Sequence, residues 1–582
     1  MSDEPASRAG ALRIGLALLI PMVILLLPEA PAALEGGELA DRSTLLPPLF
    51  AIALAFATRR TLVPLFGGVW IGATMIAWRE GGGWLSPVRA VWDTVWVYVV
   101  KTSIVDPGGD GVQSFNLSVI GFVFALVAMV AITIRAGGMA GVAKRFQLLA
   151  RSARATRMAT WGMGLAIFFD DYANTLIVGG SMRPLTDRMR VSREKLAWIV
   201  DSTAAPVAGL SILSTWVAFE ISQFAPHLET IGLSPDAGYT VFVRTLPYRF
   251  YCILTLFFVG MMSWVGRDFG PMLRAERRAL RTGAVFRPGS LPMGANKTVD
   301  AEPKAGVPHQ ARMAMIPVAV TLGAIVVLFL QEGLAGAPLF GEPWNAARLR
   351  TVLGGVENNT QLLAMASLMG LTVAFALATA LRRLTVVEAA HAAIAGSRAM
   401  FVAVAILLMA WAISRVCGEL GTRTYMAALA PMIPGWLLPV GLFVLACAVS
   451  FSTGSSWSTM GILLPIVIDL AATVGAGTPL GAEGMVIITI GAVLDGAIFG
   501  DHCSPISDTT ILSSTAAGSD HMDHVTTQVP YAVTVMVVAL VVGYLPAAFG
   551  MPPTASLALG AALLVGLAFT LGRRIEGARG IA

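Results

Sequence analysis

Cysteine and charge are both scarce in this chain. The 582 residues include four cysteines, Cys252, Cys417, Cys447 and Cys503. All lie inside or at the ends of apolar stretches and none forms a CxxC pair, so neither a disulfide framework nor a zinc site is indicated. Charged residues make up 13%, against roughly 25% in an ordinary soluble domain. No HExxH, Walker A or GxSxG pattern occurs, which leaves nothing to support a hydrolase or an ATP-driven pump.

What fills the chain instead is apolar: 56% hydrophobic residues and a mean hydropathy of +0.74. Single soluble cores stop growing near 250 to 300 residues, and here apolar runs recur from one end to the other. The composition dictates an all-α polytopic membrane protein. The net charge of +5 and pI near 9.2 do not signal nucleic acid, because the basic residues sit in short loops between apolar runs, where they report topology.

Stretches of about 20 apolar residues predict twelve crossings. The first six lie near 12–29, 44–58, 62–79, 115–134, 196–220 and 247–266. The second six lie near 313–331, 360–381, 399–417, 484–515, 529–549 and 554–572. Segment 1–43 is an N-terminal span or signal-like segment followed by a periplasmic stretch. Arg8 and Arg13 precede the apolar run Ile14–Leu27, and Ala30-Pro31-Ala32 has signal-peptidase spacing. Residues 44–266 and 313–549 form two repeats, 267–312 a basic cytoplasmic linker, and 550–582 the last span and a cytoplasmic tail. Arg59-Arg60, the basic stretch 135–157, Arg382-Arg383 and the tail arginines all fall inside, and the acidic stretch 29–43 falls outside. Both termini are therefore cytoplasmic unless the first segment is cleaved. Trp70, Trp78, Trp84, Trp92 and Trp96 suit an aromatic belt.

Residues 158–182 are apolar but basic at both flanks, and their centre reads Phe168-Phe169-Asp170-Asp171-Tyr172-Ala173-Asn174-Thr175. A crossing helix would not be basic at both ends, so a re-entrant hairpin opening from the cytoplasm is predicted, its polar tip lining a site. A counterpart, 436–471, has the tip Ser450-Phe451-Ser452-Thr453-Gly454-Ser455-Ser456-Trp457-Ser458-Thr459 and opens from outside. Asn174 matches Ser455 and Pro184 matches Pro465 at an offset of 281, while Pro206 matches Pro505 at 299. The two repeats are thus inverted, as in many secondary carriers.

The 32-residue run 484–515 exceeds what a straight span needs, and Gly500 to Pro505 is its natural break. Na⁺ is a hard cation that takes oxygen ligands. The two tips and the broken spans offer Asp170, Asp171, Asn174, Thr175, Ser452, Thr453, Ser455, Ser456, Asp501, Ser504 and Asp508 as cation and proton ligands. His502, Thr203 and Thr509 are placed as proton or substrate contacts. A single buried Ser or Thr is as easily explained by a bond to its own helix; several acids at symmetric breaks are not, because a carboxylate at membrane depth must bind a cation or a proton. The run Asp520-His521-Met522-Asp523-His524 reads as solvated cytoplasmic surface, and Asp469 and Glu388 as interfacial. An intramembrane aspartyl protease would need two acids about 3 Å apart, but hairpin tips and hydroxyl clusters have no part in that chemistry.

Together, Phe168 to Thr175 and the long motif Gly500-Asp501-His502-Cys503-Ser504-Pro505-Ile506-Ser507-Asp508-Thr509-Thr510-Ile511-Leu512-Ser513-Ser514 resemble the NhaC-type Na⁺/H⁺ antiporter family, of the inverted-repeat ion transporter superfamily. The resemblance implies a homodimeric carrier in the bacterial cytoplasmic membrane that exchanges Na⁺ for H⁺ without a cofactor. It also implies Asn174-Thr175 and Ser455-Ser456 as paired tip ligands. The family includes carriers of organic solutes, such as malate/lactate exchangers and methionine transporters, which keeps a Na⁺- or H⁺-coupled organic-solute carrier as the alternative.

Overall fold

The computed structural model describes residues 32–33, 39–58, 62–101, 114–291, 303–334, 348, 352, 359–429 and 432–575. The apolar run 12–29, Arg59-Arg60 and the 292–302 part of the linker fall outside them. The described chain is a helical bundle with two small antiparallel ladders, Ala32–Ala33 with Leu39–Ala40 and Arg267–Asp268 with Arg573–Arg574. The second ladder joins the start of the linker to the C-terminal tail. Both therefore lie on one face, as the expectation that both are cytoplasmic requires.

Eight helices among the described residues are long and apolar enough to cross a bilayer, and a ninth is the pair Pro235–Tyr248 and Phe250–Val265, bent by 51°. The remaining described crossings differ from ideal spans for local reasons. Leu46–Thr58 is only 13 residues long. The expected span 196–220 breaks into Arg193–Ser202, Ala205–Ala208 and Thr215–Phe224, because Pro206 and Gly209 interrupt the backbone ladder.

Eleven helices position the site. They are α1 Ala153–Ala166, α2 Asp171–Arg188, α3 Arg193–Ser202, α4 Thr215–Phe224, α5 Phe250–Val265, α6 Gly270–Thr282, α7 Leu437–Thr453, α8 Ser456–Gly475, α9 Gly481–Cys503, α10 Asp508–Ala517 and α11 His521–Val538. Helices α1 and α2 flank the break at 167–170 and form the expected first helix pair. Helices α7 and α8 form the second, but the polar tip is shorter than its composition suggests. Ser452 and Thr453 return their hydroxyls to the Val449 carbonyl at 2.8 and 3.0 Å and stay helical. The chain turns only at Gly454, in the left-handed region at φ +67°. Helix α9 runs to Cys503 and α10 restarts at Asp508, so the break expected around Gly500 to Pro505 falls at 504–507. Gly500 itself is helical. A Cβ there would lie 2.4 Å from the Phe451 backbone nitrogen, so this glycine permits the close approach of α7 to α9.

The linker is more than a basic connection. Helix α6 buries Met272, Leu273, Ala275, Glu276 and Ala279, and buried ion pairs fasten it to the core. Lys195 Nζ meets Asp268 Oδ1 at 2.7 Å, Arg157 Nη1 meets Glu276 Oε2 at 3.8 Å, and Arg278 Nη2 meets Glu194 Oε2 at 2.8 Å. Further along, Lys304 Nζ meets Glu388 at 2.7 Å and holds that carboxyl down at about 2. This tie is at full strength above the ordinary Glu range and is lost as the pH falls through that value; being exposed, it contributes little stability.

The α1–α2 pair can be tested as a re-entrant element at two exposed positions. Cysteines replacing Arg154 and Arg188 should both be modified by an impermeant maleimide from the linker side only. Modification of one of them from the opposite side would make the segment a crossing helix.

Candidate functional site

A cavity of about 650 Å³ opens between the two breaks, lined by Asp171, Tyr172, Thr215, Trp216, Thr453, Gly454, Ser455, Ser456, Trp457, Asp501, Ile506 and Asp508, with an apolar wall that includes Leu62, Val63 and Met400. Its polar wall is made of helix starts. The first turns of α2, α4, α8 and α10 contribute Asp171-Tyr172, Thr215-Trp216, Ser456-Trp457 and Asp508, so four helix N-termini converge on one space. Three are capped by short polar side chains. Asp170 accepts from the Ala173 N–H at 2.7 Å, Ser214 from Trp216 at 3.2 Å and Ser455 from Ser458 at 3.3 Å.

Each N-terminus carries roughly half a positive charge, so four supply about +2. Three carboxylates, Asp171, Asp501 and Asp508, face them, and among the described residues no basic side chain lines the cavity. Asp170, which caps α2, and the C-terminal ends of α7 and α9 add further negative charge beside them, so the balance is negative, and monovalent cations or protons would neutralise it. Asp501 is 2% exposed and accepts hydrogen bonds from Ser507 Oγ at 2.5 Å and Ser456 Oγ at 3.1 Å. Asp508 accepts from the Tyr172 hydroxyl. Among the described residues no three His, Cys, Asp or Glu side chains are close enough to ligate one metal ion. The acids alone therefore do not form a three-carboxylate ligand cluster.

Of the residues expected at the site, the cavity gathers Asp171, Thr453, Ser455, Ser456, Asp501 and Asp508. Five others lie behind its wall. Asp170 caps α2 and takes Thr215 Oγ1 at 3.3 Å. Asn174 Nδ2 is tied to the carbonyls of Gly164, Ile167 and Thr203 at 2.7 to 3.0 Å, pinning the end of α1 to the end of α3. Thr175 and Ser452 bond back to their own helices, and Ser504 Oγ donates to the Phe451 carbonyl at 2.8 Å. Thr203 bonds back to Ile199, Thr509 bonds Ser507, and His502 lies between Ser202 Oγ at 2.8 Å and Tyr251 OH at 2.7 Å. The helix caps also revise the symmetry: Asp170 corresponds to Ser455, an offset of 285 rather than 281, one helical turn from the sequence match. The tip residues that face the cavity are thus Asp171 and Tyr172, not Asn174 and Thr175.

Two surface assignments are corrected. His524 is fully buried and bonded to Asp201 at 3.1 Å, and His521 bonds Ser514 Oγ at 3.0 Å and the Pro505 carbonyl at 2.7 Å. The linker covers this turn, with Arg287 on Asp523 at 3.0 Å and the Leu291 N–H on Asp520 at 2.9 Å. Asp469 is buried and bonded to Thr230 rather than interfacial.

Sequence reading did not single out a second buried centre. Arg249 lies between Glu220, at 3.3 Å, and Asp495, at 3.1 Å, all three without exposure, and Asp495 also takes the Tyr544 hydroxyl at 2.8 Å. One arginine thereby joins the middle of α4, the start of α5 and the middle of α9. An acid inside each apolar run and a lone arginine before a third were the available signals.

The sequence pattern described as the Na⁺/H⁺ antiporter family matches residues 207–549, more than half of the chain. An uncharacterised protein of Haemophilus influenzae is 33% identical over 545 residues, 92% of this chain and 97% of its own length. The Na⁺/H⁺ antiporter NhaC of Alkalihalophilus pseudofirmus is 37% identical over 114 residues, 19% of this chain and 23% of that protein. The YdaH transporter of Alcanivorax borkumensis shares the fold at 12% identity, with a TM-score of 0.51 over 94% of this chain and 99% of its own.

The Arg249 centre makes a stability prediction. Arg249→Met strands two buried carboxylates and should cost about 3 to 5 kcal/mol, read as earlier thermal unfolding in detergent. Adding Glu220→Gln and Asp495→Asn should restore most of the loss. No rescue would mean that the guanidinium acts through packing alone.

Proposed function

The chain belongs to the Na⁺/H⁺ antiporter family, and from that premise we propose that its cavity is where Na⁺ and H⁺ exchange. The protein is a secondary transporter rather than an enzyme. One observation carries the reading. Three carboxylates face four helix N-termini, and among the described residues no basic side chain stands between them, so the cavity is short of positive charge. Na⁺ and a proton are alternative ways to supply that charge, because burial in a medium of low dielectric makes an uncompensated carboxylate expensive. Asp171, Asp501 and Asp508 are the acids concerned, and Thr453, Ser455 and Ser456 the neutral oxygens beside them. Exchange follows if the cavity changes sides only when filled by one ion or the other, which is alternating access. We place the carrier in a bacterial cytoplasmic membrane with the linker and C-terminal tail inside, as the distribution of arginine and lysine favours.

Removing the charge tests the site. Asp171→Asn and Asp501→Asn should each abolish Na⁺-dependent transport by purified protein in liposomes while leaving membrane insertion intact. Ser202→Ala, which removes only a hydroxyl bonded to His502, should be milder. An Asn variant that transports like wild type would take its carboxylate out of the ion site.

Competition makes a second test. Lowering pH should weaken apparent Na⁺ affinity, tending toward about tenfold per unit below the apparent pKa for one exchanged proton. Na⁺ binding should therefore release protons, seen calorimetrically as a heat that depends on the ionisation enthalpy of the buffer. Unchanged affinity from roughly pH 6 to 8.5, with no proton released, would favour a Na⁺-coupled carrier of an organic solute.

A further inference from the structure

Helix α11 carries a polar stripe that the cavity does not use. His521, His524 and Gln528 stand at i, i+3 and i+7, on one face of the helix, and lead from the linker-covered surface into the core. His524 Nε2 lies 3.1 Å from Asp201 Oδ2, and Gln528 Nε2 lies 2.7 Å from the same oxygen. Gln528 also donates to the backbone carbonyl of His502, the residue after Asp501. Ser202, next to Asp201, bonds the His502 ring at 2.8 Å. A hydrogen-bonded series thus runs from the first turn of α11 to the residue beside a cavity acid.

The hydrogen bonds left unmade are as informative. Asp201 is 1% exposed and His524 and Gln528 are not exposed at all, yet Asp201 Oδ1, His524 Nδ1 and Gln528 Oε1 have no partner among the described residues. Buried polar atoms are normally satisfied. With the Nε2–H donated to a carboxylate that can only accept, Nδ1 is the bare nitrogen of the ring, and a proton has a place to bind. The titratable groups facing the pair from other elements are His502 and Cys503 on α9 and Asp508 on α10. Lys195, on the same helix as Asp201, is taken by Asp268. Near the surface, Asp520 and Asp523 are held by the linker through Leu291 and Arg287.

We propose that Asp201 and His524 form a proton-transfer station between the linker face and the cavity carboxylates. The proposal rests on the antiporter reading above. A proton from the linker side binds His524 Nδ1, and the proton on Nε2 passes to Asp201 Oδ2. The imidazole is left neutral in its other tautomer, and Asp201 becomes a neutral acid. No bond other than N–H and O–H changes, and the charge that entered now rests on the carboxyl. Running backwards, the same steps release a proton to the linker side. The station sets the rate at which protons reach the cavity and not the affinity of the cavity for Na⁺.

Liposomes holding the full chain separate these roles. Wild type should show Na⁺-driven proton movement as well as exchange of radioactive for unlabelled Na⁺. Asp201→Asn and His524→Gln should keep Na⁺/Na⁺ exchange within about twofold and the pH dependence of Na⁺ affinity unchanged. Both should lose Na⁺-driven proton movement by about tenfold or more, as expected when a positioned acid or base is removed. His524→Lys, which places a positive charge beside Asp201 but has no second nitrogen through which to pass a proton on, should fold and show the same split even if the other variants do not insert. Proton movement at the wild-type rate in these variants would overturn the proposal. So would an equal loss of both exchanges, which marks a structural role, or a fall in the number of Na⁺ bound, which marks a second cation site. If wild type itself moves no protons in response to Na⁺, the antiporter reading fails first.

Discussion

A carboxylate in hydrocarbon must meet a positive charge, and in this cavity helix N-termini supply part of it. Helix N-termini carry roughly half a positive charge each, and the four that converge leave negative charge unmatched. The arrangement requires four helices to begin at membrane depth. That is possible only because the breaks at 167–170, 209–214, 454–455 and 504–507 are walled by protein. Asp170, Ser214 and Ser455 satisfy the first backbone donors, Asn174 ties three loose carbonyls together, and Gly500 lets α7 and α9 approach. These supporting residues keep the chain interrupted so that the acids can stand at its interruptions. Arg249 solves the same electrostatic problem differently, with a side chain placed between two acids where no helix begins.

The two halves divide the chemistry crosswise. At the start of the helix after the tip, the first half has Asp171 and the second Ser456. At the start of the helix after the broken span, the first half has Thr215 and the second Asp508. Acid and hydroxyl exchange places between the repeats, so each half contributes one charged and one neutral helix start. Asp501, at the end of α9, is the additional acid, and its two serine donors come from the start of α8 and the break after α9. A single carboxylate thereby feels both interruptions of the second half.

Much of this was legible in the sequence because chain interruptions have composition. Prolines, glycines and acids in apolar runs marked the four breaks and six of the cavity residues. Tyr172, Thr215, Trp216 and Trp457 were not marked, since an aromatic or threonine in an apolar run looks like packing until another segment arrives opposite it. The tip residues that face the cavity lie one turn from the expected pair because matching prolines does not locate the cap, which depends on whether Asp170 or a later residue receives the first free N–H. His521 to His524 looked solvated because its composition is that of a loop. The linker that covers it comes from some 230 residues earlier in the chain, and nothing in either segment announces the other. The same separation concealed the contacts of Arg249 with Glu220 and Asp495.

The central claim, that unmatched negative charge in the cavity is filled by Na⁺ or by H⁺, is tested most directly by purified protein in liposomes bearing only a pH gradient. With the interior acid and no organic solute present, radioactive Na⁺ should accumulate inside as protons leave, and reversing the gradient should expel it. Accumulation only when an amino acid or carboxylate is added, or none under either gradient, would contradict the account.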